Sequence, residues 1–326
     1  MASQSKQPMF DLLSYARRGP GRRDSLSPAE ILQVARTVGR IPEVMVKILP
    51  RGANDLTAVR KHLDYIGRKG NVEIESDDGE KRVIDDLLDD WDLDLDEARL
   101  KSELSATNAR QPPRLVHKVL FSMPAGTPPA KVLTAVQNFC REEFALKHRY
   151  VMALHTDEPH PHVHVAIKAI SEQGVRLNIR NAMRRQWRSD FARHLRGLGI
   201  PANATQRFVR GDTTPRKSDG IYRAALRGES THMRDRAESV GRELAVGGIR
   251  IEPGKAKLME TRADVYRAWQ TVGDILVRQR QPELAKQVIQ FMYRMPSPVS
   301  DKEQIAAQVV RLDRQAQIGD RRPPVR

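Results

Sequence analysis

Three histidines stand where one metal ion could take them all: His155, His162 and His164, within the run HTDEPHPHVHV. His162 and His164 are two apart in VHVAIKAI, whose apolar residues alternate, so on a strand both imidazoles project from one face. His155 ends a separate apolar run, RYVMAL, and a hairpin turn through Glu158, Pro159 and Pro161 brings it alongside the pair. Asp157, two residues from His155, is positioned to accept that ring's second N–H and fix its tautomer. A cation held this way polarises a phosphate or lowers the pKa of a bound water. The competing reading makes His160, His162 and His164 the polar face of an edge strand. The neighbouring carboxylate and the arginine-rich region downstream favour ligation.

A second candidate lies upstream. In DLTAVRKHLDYIGRKG the residues Leu56, Val59, Leu63 and Ile66 cluster on one face at about 100° per residue, which predicts an amphipathic helix ended by Gly67 and Gly70. Tyr65 falls off that stripe, on the polar side with His62 and Lys69. A tyrosine among basic residues is a candidate nucleophile for a phosphodiester, although the helix taken alone fits an ordinary surface tyrosine better.

These side chains need a sheet and helices to hold them. From Arg114 the pattern reads strand LVHKVLFSM, turn PAGTP, helix PPAKVLTAVQNFCREEFA, strand RYVMAL, the histidine-rich turn and strand HVHVAIKAI. Upstream, PEVMVKIL alternates as a strand. The expected class is α+β, an antiparallel sheet flanked by helices, with the last two strands paired as a hairpin. A basic helix follows from Arg180 to Leu198, stopped by Gly197 and Gly199, and Arg180, Arg184, Arg185 and Arg188 on it would track a phosphate backbone.

Three regions are expected: a basic N-terminal arm over 1–41, a sheet-and-helix domain holding both candidate sites over 42–212, and a basic, mainly helical C-terminal region with a polar tail over 213–326. The arm contains RRGPGRR (Arg17 to Arg23) and a short helix PAEILQVART entered at Ser27 and Pro28. In the C-terminal region helices are expected around Glu260 to Arg278 and Glu283 to Tyr293. The segment Asp85 to Glu97 carries eight acidic residues among leucines and Trp91; it is read either as a helix packing its leucines on the sheet or as an acidic docking patch. A polar linker, SATNARQPP, follows it.

The chain has 326 residues and a formal net charge of +15. Between Arg176 and Arg236 fifteen Lys/Arg face five Asp/Glu, a net of +10, so two thirds of the excess sits in under a fifth of the chain. A polyanion is the partner this density selects, with a merely solvated basic surface as the alternative. No stretch approaches the ~18 apolar residues of a membrane span, and the N-terminus lacks the apolar core of a secretory signal. The single cysteine, Cys140, excludes internal disulfides and cysteine-rich zinc sites, and a reducing cytoplasm is the expected compartment.

HTDEPHPHVHV resembles the third motif, H-x-D followed by P-H-x-H, of the conjugative relaxases of the P-type mobilisation class, which include the T-DNA border nickases within the HUH endonuclease superfamily. HLDYIGRKG resembles their first motif, which carries the tyrosine nucleophile, and VLFSMP, with Ser122, stands where they have a serine-containing second motif. The likeness covers roughly Pro42 to Gly211. Several relatives have asparagine four residues after the last histidine, where this chain has Lys168; by strand alternation Lys168 shares the face of His162 and His164.

The resemblance implies an HUH-type sheet and one divalent metal on His155, His162 and His164. The resemblance also implies that Tyr65 attacks the scissile phosphate to leave a 5′-phosphotyrosyl strand, with Asp157 orienting His155 or taking the tyrosine proton. Arg68, Lys69, Ser122 and Lys168 would contact DNA. It further implies single-stranded origin-of-transfer DNA as substrate, accessory relaxosome proteins and a type IV secretion coupling protein as partners, and a bacterial cytoplasmic location with passage of the protein to a recipient cell. The metal implied is magnesium or manganese, whereas three neutral imidazoles by donor type leave zinc or nickel open. Two rivals also stay open: a three-histidine metal-hydroxide nuclease without a covalent intermediate, and a non-enzymatic DNA-binding accessory protein. The tail RRPPVR is read either as a secretion-recognition element or as a plain chain end.

Overall fold

Five strands form one antiparallel sheet in the order β1-β3-β5-β4-β2 in this computed structural model, which describes residues 25–49, 53–107, 114–213, 224 and 227–320. The strands are β1 (Met45–Ile48), β2 (Glu75–Ser76), β3 (Val116–Ser122), β4 (Tyr150–His155) and β5 (His162–Lys168). Chain contacts divide the molecule into two compact units, one running from Gly39 to Ala204 and the other joining the residues up to Val38 with those from Thr205 on. The sheet lies in the first.

Within that unit the period-2 alternation of β3, β4 and β5 separates two cores. Val119 and Phe121, Tyr150 and Met152, and Val163, Val165 and Ile167 turn to one face. There they meet α5 (Pro129–Phe144) and α6 (Asn181–Gly197) through Phe139, Phe144, Trp187 and Phe191. The aromatic rings pack edge to face, with Phe121 5.2 Å from Phe191 and Phe144 5.5 Å from Trp187. Val116, Val151, Ala153 and Ala166 turn to the other face and meet α2 (Leu56–Ile66) and α3 (Ile84–Asp90). The expected hairpin is present, with Leu154 opposite Val163 and His155 opposite His162.

Helix α2 begins at Asp55, whose side chain accepts from the Ala58 N–H at 2.7 Å. Its stripe of Val59, Leu63 and Ile66 is buried, as expected, but so is His62, which the sequence placed on the polar side with Tyr65. The acidic segment is a pair of helices, α3 and α4 (Leu93–Thr107). Leu87, Leu88, Trp91 and Leu93 are buried against α2 and the sheet, while Leu95 is exposed. Of the two readings of that segment, the geometry fits the packed one. The residues Ser105 to Thr107 continue α4 and do not start a linker.

In the second unit, α1 (Pro28–Val38) is no detached arm. Leu26 and Val34 share a core with Val265, Trp269 and Leu276 of α8 (Gly254–Arg278) and with Val288 and Phe291 of α9 (Pro282–Tyr293). Its entry is a capping box, in which Ser27 Oγ accepts from Glu30 N–H and Glu30 accepts from Ser27 N–H. Helices α7 (Thr231–Ala245) and α10 (Asp301–Asp320) form a small separate cluster through Val240, Ile305 and Ala306. The first half of the tail is therefore helical. The basic runs Arg17 to Arg23 and Arg321 to Arg326 lie outside the described residues.

Candidate metal centre and nucleophile

β4 ends and β5 begins at the same edge of the sheet, so His155 stands directly opposite His162, and His164 follows on the same face. One ring nitrogen from each lies within 4.8 Å of the others, and all three side chains are buried. The remaining nitrogens are assigned by the backbone. His155 Nε2–H donates to the Ile66 carbonyl at 2.7 Å, and His162 Nδ1–H donates to the His160 carbonyl at 2.9 Å. That leaves Nδ1 of His155 and Nε2 of His162 with free lone pairs. His155 Nδ1 and His164 Nδ1 are buried and have no hydrogen-bond partner. Buried polar atoms without partners are rare, and a cation here would satisfy them.

Burial favours the neutral form of two of the three rings. Burial above all, then the neighbouring histidines, pushes His164 down to about 3, and burial also lowers His155. His160 is held out of the cluster, since its Nδ1 accepts from the Ala125 N–H at 3.0 Å.

The role expected of Asp157 belongs to the Ile66 carbonyl, because α2 ends against His155. The Asp157 carboxylate instead accepts from Arg68 Nη2 at 2.6 Å. Arg68 reaches it because Arg68 and Lys69 both adopt the left-handed conformation, φ 50° and 55°, in a short 3-10 turn after α2. Non-glycine residues in that region carry strain of order 1–3 kcal/mol each, a feature that clusters at functional sites. Gly67 permits the tight exit, since a Cβ there would meet Ile74 Cδ1 at 3.0 Å and the Leu63 carbonyl at 3.2 Å.

Tyr65 is 45% exposed and leans over the cluster. Its ring lies 5.7 Å from that of His164 and 6.4 Å from that of His155, and the Arg68 guanidinium covers it at 5.1 Å. His62, one helical turn earlier, stacks at 6.5 Å from Tyr65 and stands 6.3 Å from His164. Burial and then Lys118 push it down to about 3, and its Nε2 has no partner. The i, i+3 spacing of His62 and Tyr65 was the signal in the sequence.

The other expected contacts divide. Ser122 is buried opposite His162 in register, its Oγ donating to the Met123 carbonyl at 3.4 Å. Lys69 is exposed beside Arg68. Lys168 is on the histidine face but four residues beyond His164, and its buried Nζ lies 3.7 Å from both Asp96 and Glu172. Arg180, Arg184, Arg185 and Arg188 belong to α6 or its entry, on the face of the sheet away from the histidines. Strand alternation sends Val163, Val165 and Ile167 to α6 and the histidines to α2, so no rotation of α6 brings its arginines to the cluster.

An antiparallel sheet with three histidines near the meeting ends of β4 and β5 and a helix-borne tyrosine above them makes a candidate metal centre and nucleophile. Residues 65–195 match the family described as relaxase, MobA/VirD2-like, nuclease domain. The chain is 27% identical to the T-DNA border endonuclease VirD2 of Rhizobium radiobacter, over 52% of this chain and 43% of that protein. It is 26% identical to VirD2 of Agrobacterium fabrum (strain C58 / ATCC 33970), over 59% and 46%. VirD2 of Rhizobium rhizogenes is 27% identical over 52% and 42%. The chain thus spans less than half the length of these relatives. None of the solved structures matches it. Among the described residues no helix is long and apolar enough to cross a membrane.

Proposed function

We propose that this chain nicks one strand of DNA at a transfer origin by transesterification, with Tyr65 as nucleophile. The observation that carries the reading is the seating of the Tyr65 ring 5.7 Å from His164 over a three-histidine cluster. Tyr65 Oη attacks the scissile phosphorus, a P–O bond forms to the phenol, and the bond to the 3′ oxygen breaks. The phenolic proton passes to the Asp157 carboxylate, which Arg68 holds near the tyrosine ring, and the departing 3′ oxygen takes a proton from water. The product is a 5′-phosphotyrosyl strand and a free 3′-hydroxyl. Attack by a 3′-hydroxyl reverses it, so the link conserves the bond for rejoining.

His155, His162 and His164 would hold one divalent cation, which when bound supplies charge neutralisation at the scissile phosphate. Magnesium or manganese is the proposed ion. The Ile66 and His160 carbonyls keep two of these rings in the tautomers a ligand needs. Arg68 and Lys69, at the exposed mouth, are assigned to the flanking phosphates. The substrate class is single-stranded DNA, because the site needs a phosphate splayed over a half-exposed tyrosine. Accessory relaxosome proteins, a secretion coupling protein and passage from a bacterial cytoplasm to a recipient cell belong to the same proposal.

The test incubates the purified chain with single-stranded oligonucleotides spanning a candidate transfer origin, with Mn²⁺ or EDTA, on a denaturing gel. A metal-dependent protein–DNA adduct lost in Tyr65→Phe supports transesterification. Cleavage without adduct that survives Tyr65→Phe points to a metal-bound hydroxide, and binding without cleavage points to an accessory protein.

A further inference from the structure

On the face of the sheet away from the histidines, a cleft of about 710 Å³ opens at the start of β3. Its lining is of two kinds. Ile48, Leu177 and Ile179 are partly buried and continue the core beneath α6, giving an apolar floor. Arg114, Arg176 and Arg184, with Asn178, supply a polar, cationic wall. His117 also lines it, on β3 five residues before Ser122, roughly 16 Å along the strand from the row that carries His162.

The wall is built rather than incidental. The segment from Arg176 to Ile179 is tied to the sheet by the Leu177 N–H donating to the Ala169 carbonyl at 2.7 Å. The Leu177 carbonyl in turn accepts from His117 Nε2–H at 3.0 Å. Arg176 Nη1 donates to the Arg114 carbonyl at 3.3 Å, which links the two arms of the cleft. Burial holds His117 down to about 4, so at neutral pH it stays an uncharged brace.

We infer that this cleft is a second binding site for single-stranded DNA, taking bases on Ile48, Leu177 and Ile179 and phosphates on Arg114, Arg176 and Arg184. An apolar floor beside guanidinium groups suits a polyanion whose bases are unpaired, because a duplex stacks its base faces out of reach and offers only base edges and the sugar-phosphate backbone. The inference rests on the nicking proposal for its substrate class and places part of the strand away from the cut. β1, which carries Ile48, is one edge strand of the sheet, and the histidine row lies two strands in, roughly 10 Å at the usual strand spacing. On that spacing, a strand leaving the cut passes β1 to reach the cleft.

The test measures binding of fluorescein-labelled oligo(dT) of about 16 nucleotides and of a duplex of equal length to the full chain in EDTA, across a salt series. The variants are Arg176→Ser/Arg184→Ser, and Arg141→Ser/Arg193→Ser as a charge-matched control outside the cleft. Roughly 0.7 counterions are released per single-strand phosphate contact, so the cleft variant is expected to lower the salt slope for oligo(dT) by about 1.4 and the control to leave it. Ile179→Ser is expected to weaken oligo(dT) and not duplex. An unchanged slope in the cleft variant, or an equal loss on duplex and single strand, overturns the inference. These readouts need no cleavage, so the cleft can stand where the adduct assay fails, and can fail where an adduct forms.

Discussion

Arg68 makes two contacts with one guanidinium: it covers the ring of Tyr65 at 5.1 Å and donates to Asp157 at 2.6 Å. A cation on the ring face and a carboxylate on the same group fix where the phenol can point. Arg68→Ala is expected to slow adduct formation by roughly 10²-fold, the size of a small misplacement of a reacting group. Stability should change by less than about 1 kcal/mol, because the pair is substantially exposed. Adduct rates beside thermal melts check this, and Arg68→Lys should rescue poorly because it lacks the planar fork.

Cation binding should be visible without any DNA. An ion that binds only the folded chain at 100 times its dissociation constant stabilises it by about 2.7 kcal/mol. For a unit of this size that is a rise of roughly 5–10 °C in melting temperature. Mn²⁺ titrated against the wild-type chain should show the rise, and His164→Ala should abolish it. A chain that melts identically with Mn²⁺ and with EDTA would count against the metal centre.

His62 carries a buried Nε2 with no partner, and replacing such a group by an apolar one of similar shape is neutral or stabilising. His62→Leu is expected to hold or raise the melting temperature while lowering the adduct rate, since the ring stacks on Tyr65. A variant that loses stability and keeps its rate would reverse that assignment.

His117 predicts a pH dependence away from the metal centre. Burial pushes it down from 6.5 to about 4, so between those values the unfolded chain binds more protons than the folded one. Stability contributed by the neutral ring is complete above about pH 6.5 and is lost as pH falls toward 4. His117→Leu should flatten the denaturant midpoint across that window. An unchanged slope would show that other groups set it.

Buried Lys168 and partly buried Asp96 form an ion pair at 3.7 Å, too long for a hydrogen bond, and burial raises the Asp96 carboxyl. Lys168→Met alone should destabilise the nuclease unit by about 1–3 kcal/mol. The double change Lys168→Met/Asp96→Leu should recover most of that, as apolar replacements of buried pairs do. Chemical denaturation of the single and double variants decides it.

Periodicity sufficed for β1, β3, β4 and β5, for the helices that pack on them and for the face that carries His162 and His164, because alternation and the helical repeat are local consequences of backbone geometry; the two-residue β2 and helices α7 and α10 carried too weak a pattern to be read. It also made the β4–β5 hairpin and the approach of His155 legible, since the turn residues between the strands leave little freedom. What the second nitrogen of His155 bonds was not local. Ile66 is 89 residues away, and only the packing of α2 across the sheet brings its carbonyl to the ring. The same packing buries His62, which helical periodicity alone placed on the polar side, and it gives Asp157 to Arg68 through a left-handed turn that no residue preference announces. Charge density marked α6 as a nucleic-acid surface, yet tertiary structure decided which face of the sheet those arginines occupy. A sequence ranks residues along a line, and the side of the sheet on which a helix lands is fixed only when both cores close.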